Sequence, residues 1–319
     1  MLKRLLVLSI LICSTSVWAW QPNGPIRVIV AGAAGGSTNE LVMHAVGDII
    51  QKKNPQVSFI IEGRPGLDGV VAMNYFGVQP PDGQTIFIQV IESTILVAPI
   101  AYRSQLQVDP EQYVPVTLLA HASAVLAVPN SSPAQNITDL VALLKNQNRN
   151  INIASNSITN LLVYNYLMQR LGVNPERVQL INYKSMNEAA VAVAAGQVDL
   201  GILTATATKP FVGTRMRLLA HTGNTAMPGM ESVPSISQTI PGLIINKTLA
   251  VFLPPGTDSN IQQWYQEQFQ QALNNSEVKA FFYANLLTPN SVGPTELVRY
   301  KQQLQKQWGS IANKVLKEK

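Results

Sequence analysis

Three short polar runs carry the residue types from which an anion site is built. Ala34-Gly35-Gly36-Ser37-Thr38 follows the apolar run Ile26–Val30 and precedes a segment with helical spacing. Ser155-Asn156-Ser157-Ile158-Thr159 stands in the same relation to Asn152–Ala154, and Thr204-Ala205-Thr206-Ala207-Thr208 closes a further apolar run. Glycine lets backbone approach a ligand closely, and a helix start offers unpaired N–H groups with a partial positive charge. Hydroxyls and amides add side-chain donors. The chemistry favoured is capture of a carboxylate or phosphate. Asn182-Tyr183-Lys184-Ser185 adds a ring and a cation. Ile91-Glu92-Ser93-Thr94, read as the loop after Thr85–Val90, adds two hydroxyls. Glu92 there would repel an anion but suit an amine or hydroxyl, and a solvated loop acid is the equally good alternative. The ends of strands are the usual ligand edge of an open α/β sheet. A tight strand–helix connection explains the first run alone just as well. Capping explains one residue of the second run, not all of it.

Nucleotide chemistry is disfavoured. Five residues beyond Gly32 stands Ser37 rather than glycine, no lysine opens the helix, and G-x-G-x-x-G is absent. His44, His121 and His221 are isolated, without a metal-ligand partner at helical or short-loop spacing, and His44 is expected on a helix surface. There is no G-x-S-x-G elbow and no acid pair suited to acid–base work. No catalytic residue, cofactor or metal is therefore assigned, and a binding protein is expected rather than an enzyme. A hydrolase or transferase whose triad assembles from distant residues is the alternative. Glu62-Gly63-Arg64-Pro65-Gly66-Leu67-Asp68-Gly69 reads as a structural turn in preference to a cleft loop, and Pro80-Pro81-Asp82-Gly83 as a turn without chemistry.

The elements that must position these runs alternate along the chain. Strands are predicted at 27–31, 57–62, 85–90, 116–120, 124–129, 152–154, 177–181, 200–203, 217–220 and 249–253. Helices are predicted at 40–53, 69–78, 137–147, 160–171, 186–195, 259–274, 276–284 and 295–316. Such alternation predicts an α/β fold of mostly parallel sheets flanked by helices. Two places lack the alternation, near Ala122–Ala127 and near Ile244–Ala250. Read as crossings, they make residues 20–123 plus 248–319 a discontinuous first lobe and 124–247 an inserted second lobe. That topology suits hinge closure around a ligand.

Lys3 and Arg4 precede the apolar run Leu5–Ile12, and Val17-Trp18-Ala19 fits a small-x-small cleavage pattern. Residues 1–19 are thus expected to be a signal peptide cut after Ala19. Cys13 follows Leu11-Ile12, where a lipoprotein signal wants a small residue, so lipid anchoring is not expected. Cys13 is the single cysteine of the chain. Its removal with the leader excludes disulfides, thiolate metal sites and cysteine nucleophiles. Without Lys3 and Arg4 the 23 basic residues become 21 against 18 acidic ones. No dense Lys/Arg tract occurs, so neither nucleic acid nor anionic membrane is an expected partner. A mature length of about 300 residues exceeds one ordinary domain and agrees with two lobes.

Several motifs together resemble one family. Pro25–Val30 with Ala33–Thr38 resembles its first strand and glycine loop. Glu62–Gly66, Pro80–Thr85, Val116–Ala120, Tyr183-Lys184, Gly196–Leu200 and Leu253–Thr257 follow in the family's order. The family is the extracytoplasmic solute-binding proteins of tripartite tricarboxylate transporters, also called Bug receptors, and the resemblance runs from about Pro25 to the C-terminus. It implies a type II-like periplasmic-binding-protein fold, with two lobes joined by a two-crossing hinge. It further implies a monomer that closes on a small carboxylate or amino-acid-like ligand. That ligand would pass to a membrane complex of one large and one small subunit. Docking on a membrane sensor instead is compatible with the same features. Carried over by position, the ligand loops are Ala34, Gly35, Gly36, Ser37 and Thr38, then Ser155, Asn156, Ser157 and Thr159, with Tyr183 and Lys184 nearby; the residues themselves add Glu92, Ser93 and Thr204. The chain departs from the family at Asn39, where an acid is usual, at Ser155–Thr159, where glycines are usual, and at Ser185, where glycine is usual. It departs again in the stretch carrying Glu92 and around Leu203-Thr204, which lacks a common aspartate. These departures gather at the expected cleft, so they imply a ligand other than a simple di- or tricarboxylate.

Overall fold

The computed structural model describes residues 20–32, 37–146, 150–156, 158–223, 226–241 and 243–317. The expected leader, with Cys13, lies outside them. β1 (Ile26–Val30) is a β-branched run covered on both faces, as a central parallel strand must be. It pairs in parallel with β2 (Phe59–Gly63) and β3 (Thr85–Val90). α1 (Thr38–Lys53) follows β1, and α2 (Val70–Phe76) follows β2. β3 runs directly into a π-helical turn, Ile91–Val97, that continues as α3 (Ala98–Ala101).

β4 (Val114–Pro129) is 16 residues long and belongs to both halves of the sheet. Beyond it come α4 (Ile137–Lys145), β5 (Ile151–Ser155), α5 (Ile158–Leu171), β6 (Val178–Asn182), α6 (Met186–Ala194), β7 (Leu200–Thr204), α7 (Ala205–Thr208) and β8 (Met216–His221). β9 (Asn246–Leu253), α8 (Ser259–Asn274), α9 (Ser276–Ala284), β10 (Leu287–Pro289) and α10 (Pro294–Lys317) complete the chain. The strand order is β2-β1-β3-β9-β4-β7-β5-β6, with β8 and β10 also paired to β4.

Partners along β4 change between Ser123 and Ala124. Up to Ser123 it pairs with β9, ending at Ser123↔Asn246, and from Ala124 it pairs with β7, starting at Ala124↔Thr204. β9 runs antiparallel to both β3 and β4, so β1, β2 and β3 point the same way as β4. β7 is antiparallel to β4, and β5 and β6 follow β7. The C-terminal ends of the two parallel sets therefore point toward one another along β4. Val90 of β3 lies level with Leu249 and hence with Ala120, while Thr204 lies level with Ala124. Those four residues of strand set the two edges about 13 Å apart along β4.

Each half has helices on both faces. In the first, Val42, Met43, Tyr265, Phe269 and Phe282 from α1, α8 and α9 cover one side. Val70, Met73, Phe76 and Ile95 belong to the core on the other. In the second, Ala189, Ala190 and Val193 of α6 cover one side, and Leu140, Leu144, Leu162 and Met168 of α4 and α5 the other. α10 touches β4, α3, the π-helical turn and α5, and so packs on both halves.

The α/β alternation read from the sequence is the observed one, with three corrections. The two short strands expected at 116–120 and 124–129 are one strand. The polar residues His121 and Ser123 stay in the ladder because β9 pairs with them, and register shifts before Thr117 and Ala120 absorb the local irregularity. The loop expected after β3 is helical: Ile91, Ile95, Leu96, Val97 and Ala98 are all buried, leaving no amphipathic period to read. β10 has three residues, too short for any alternation to show.

Candidate functional site

At the β1–β3 edge, backbone and side chains are fixed by local hydrogen bonds. Ser37 caps α1: its Oγ accepts from the Glu40 N–H at 3.2 Å, and the Ser37 N–H donates back to the Glu40 carboxylate at 3.0 Å. This capping box forms because Ser and Glu stand three apart just before an apolar-periodic run. The Thr38 and Asn39 N–H groups have no acceptor among the described residues. Asn39 Nδ2 donates to the Ile88 carbonyl at 3.3 Å and to Gln89 Oε1 at 3.4 Å. The Thr94 hydroxyl lies 3.3 Å from the same Oε1 and 3.4 Å from the Asp68 carbonyl. Gly69 adopts φ +106°, and a Cβ there would fall 2.6 Å from the Thr94 methyl and 3.1 Å from Ala31 Cβ. Glycine is thus what allows the β1, β2 and β3 loops to close together.

The turn after β2 is tied down by charge. Arg27 Nε meets Glu62 at 2.6 Å, Arg64 meets the same carboxylate at 3.2 Å, and the Arg64 guanidinium stacks 3.7 Å from the Tyr75 ring centroid. Hydrogen bonding from Arg27 holds the Glu62 carboxyl below its usual range despite partial burial. These residues hold the loop in place, in line with the turn read from the sequence.

Glu92 is not the loop acid expected. It sits in the π-helical turn, 2 % exposed, and faces inward. The Thr248 N–H and Oγ1 each donate to it at 2.8 Å. Thr248 Oγ1 is also 2.8 Å from the Tyr300 hydroxyl and 3.0 Å from His121 Nδ1, and His121 Nε2 is 2.6 Å from Asn290 Nδ2. One assignment satisfies every pair: Thr248 donates to Glu92, neutral His121 donates through Nδ1, and its Nε2 accepts from Asn290. Burial pushes the Glu92 carboxyl up to about 7, against the pull of the Thr248 donors and the Lys247 charge. Burial likewise lowers His121, raises Tyr300, and lowers the half-buried Lys247 to about 8. This network joins the π-helical turn after β3 to β4, β9 and α10 where β4 changes partners. Ser93, in the same turn, is half-buried.

At the other edge, β5 and β6 end level with one another, and β7 runs two residues further, to Thr204. Ser155 is buried and in register with Asn182, and its carbonyl accepts from the Tyr183 N–H at 2.8 Å. Asn160 donates to Asn156 at 3.2 Å across the first turn of α5. Ser185 caps α6 by accepting from Glu188. Lys184 is exposed, and its ammonium has no hydrogen-bond or ion-pair partner among the described residues. Thr204 precedes α7 without capping it, and the Thr206 hydroxyl lies 3.4 Å away.

Of the residues singled out from the sequence, Ser37, Thr38 and Ser93 lie at the first edge, and Ser155, Asn156, Tyr183, Lys184 and Thr204 at the second. The two edges meet where α5 packs on the π-helical turn. Ala34, Gly35, Gly36 and Ser157 lie outside the described residues, as does the Thr159 side chain. His44 is exposed on α1, as expected. Sequence reasoning missed Asn39, Gln89 and Thr94 as a connected set, although Gln89 interrupts the apolar run Ile86-Phe87-Ile88 at a strand end. Among the described residues no three of His, Cys, Asp or Glu converge to hold a metal ion.

The sequence pattern described as "Tripartite tricarboxylate transporter family receptor" matches residues 42–316. A UPF0065 protein of Bordetella bronchiseptica is 30% identical over 266 residues, covering 82% of this chain and 77% of that protein. Two solved structures share the fold at lower identity. The periplasmic binding protein BugD superposes with a TM-score of 0.79 at 20% identity, over 92% of this chain and 98% of its own. A Rhodopseudomonas palustris protein solved with adipate superposes with a TM-score of 0.82 at 22% identity, over the same shares of the two chains.

Proposed function

The chain belongs to the tripartite tricarboxylate transporter receptor family, and on that premise we propose that it captures a small carboxylate between two lobes. The observation that carries this reading is the opposed pair of strand-end edges on β4, each lined with N–H, hydroxyl, amide or ammonium donors. Helix starts at each edge add a field that favours an anion. The adipate bound by a relative of the same fold supports a carboxylate as ligand class, and the departures at Asn39 and Ser155–Thr159 point within that class to one other than a simple di- or tricarboxylate.

The lobes in this reading are residues 20–123 plus 248–319 and residues 124–247. The change of partners along β4 between Ser123 and Ala124, and the start of β9 at Asn246, support that division. Closure about these crossings excludes water and strengthens every charged contact inside. The mature protein works in the periplasm as a monomer, after removal of residues 1–19, and passes its ligand to a membrane complex of a large and a small subunit. Ser37, Thr38, Ser155, Asn156, Tyr183, Lys184 and Thr204 are the contacts proposed, together with Ala34, Gly35, Gly36, Ser157 and Thr159. Binding, not turnover, is the activity.

The test is calorimetry and thermal unfolding of the mature protein with malate, adipate, citrate and a panel of amino acids, beside mass spectrometry of ligand released from fresh protein. Heat and a raised melting temperature with at least one carboxylate are expected. Silence across the whole panel, with no released carboxylate, would overturn the reading.

A further inference from the structure

Gln89 ends the apolar face of β3 and is 2 % exposed, yet its Nε2 has no hydrogen-bond partner among the described residues. The orientation of its amide is determined. Asn39 must turn its NH2 toward the Ile88 carbonyl, which can only accept, so the Gln89 atom beside that NH2 is the oxygen. Thr94 lies against the same oxygen. The two N–H bonds of Gln89 are left without an acceptor, and a buried donor in that state is costly unless a partner arrives. Asn39 is in the first turn of α1, so the unpaired amide stands beside a helix start whose Thr38 and Asn39 N–H groups also have no acceptor among the described residues. The Ser37 N–H is already taken by Glu40.

We infer that Gln89 is the side chain through which the first half grips a carboxylate oxygen of the ligand, donating an N–H alongside the start of α1. The inference rests on the receptor reading above and adds to it a residue that sets which ligands fit. An acceptor oxygen completes this position, and an ammonium or alkyl group does not. Ligands must therefore present their carboxylate, not an amine, to the β1–β3 edge.

The test compares the mature wild-type protein with Q89E and Q89M, using malate, adipate and citrate in calorimetry. Q89E keeps the oxygen that Asn39 and Thr94 hold but replaces the donor with an acidic oxygen. It is expected to weaken binding of whichever probe the wild type takes by about a hundredfold, and Q89M by about tenfold. Thermal unfolding reports whether each variant folds. Should neither fold, the side-chain amide signal of Gln89 in 15N-glutamine-labelled wild type decides, because it must shift on saturation with the probe. Binding by Q89E within threefold of wild type (about 0.7 kcal/mol), or an unmoved amide signal at saturation, overturns the assignment and leaves the receptor reading standing. If no probe binds the wild type, the carboxylate released from fresh protein serves as the probe; only silence across the full panel with no released carboxylate makes both fall together.

Discussion

At the β1–β3 edge polar side chains direct their hydrogen bonds at one another, whereas the β5–β7 edge also carries an exposed ammonium, that of Lys184, with no partner among the described residues. Ser37 and Glu40 close a capping box, Asn39 and Thr94 hold Gln89, and Glu92 turns into the network around Thr248. Across β4, Lys184 is exposed and Thr204 leaves α7 uncapped. The difference teaches that the first edge presents donors fixed by the fold. The second adds one side chain, Lys184, that can change without disturbing it. Substitution at the first edge should cost stability along with binding, and substitution of Lys184 at the second should cost binding alone.

The largest effect expected tests the inward half of this contrast. Thr248 is fully buried and its hydroxyl meets Glu92, His121 and Tyr300. T248V keeps the shape but leaves a buried carboxylate oxygen without its donor, at a cost of about 3 kcal/mol in urea unfolding. A loss under about 1 kcal/mol would show that this network does not hold the edge.

Next in size is a pH dependence centred on Glu92. Glu92 has its folded value raised to about 7 from 4.5. Its contribution is therefore fully present below pH 4.5 and lost as pH rises through 7, on the order of 3 kcal/mol. Lys247 is lowered from 10.5 to about 8, so its contribution is present above 10.5 and lost as pH falls through 8. Together they place a stability minimum between pH 7 and 8. His121 and His221, lowered by burial, slope the other way as pH falls below 6.5. The Glu92 part is therefore read as the difference between wild type and E92Q in unfolding followed across pH. Identical profiles would place the carboxylate in water, like the exposed groups of the second edge.

How much of this was legible follows the same divide. Strands β1, β3, β5 and β7 show in the sequence as short apolar runs that give way to polar or glycine residues, and the polar ends mark the two edges. The long helices show through their periodicity. What could not be read is what depends on distant pairing. Glu92 looks like a loop acid until Thr248, 156 residues away, is known to face it. The continuity of β4 through His121 and Ser123 requires β9 beside it. Gln89 declares itself only by what its neighbours leave unpaired. In each case a local pattern was overridden by a partner remote in the chain.

Smaller effects separate the edges most cleanly. S37A removes the α1 cap and should lower stability by about 1 kcal/mol, measured by thermal unfolding, and binding should fall with it because the cap orders the helix start. K184A should leave unfolding within about 0.5 kcal/mol of wild type, since an exposed ammonium without a partner supports nothing in the fold. If the second edge meets the far end of a dicarboxylate, the same variant loses about tenfold in affinity for adipate or malate, and the remaining binding depends less on salt. A monocarboxylate, gripped at the first edge alone, should bind wild type and K184A alike. Equal losses for both ligand types would mean that Lys184 steers anions from a distance instead of touching them. The contrast between fixed and free donors would then hold for stability but not for recognition.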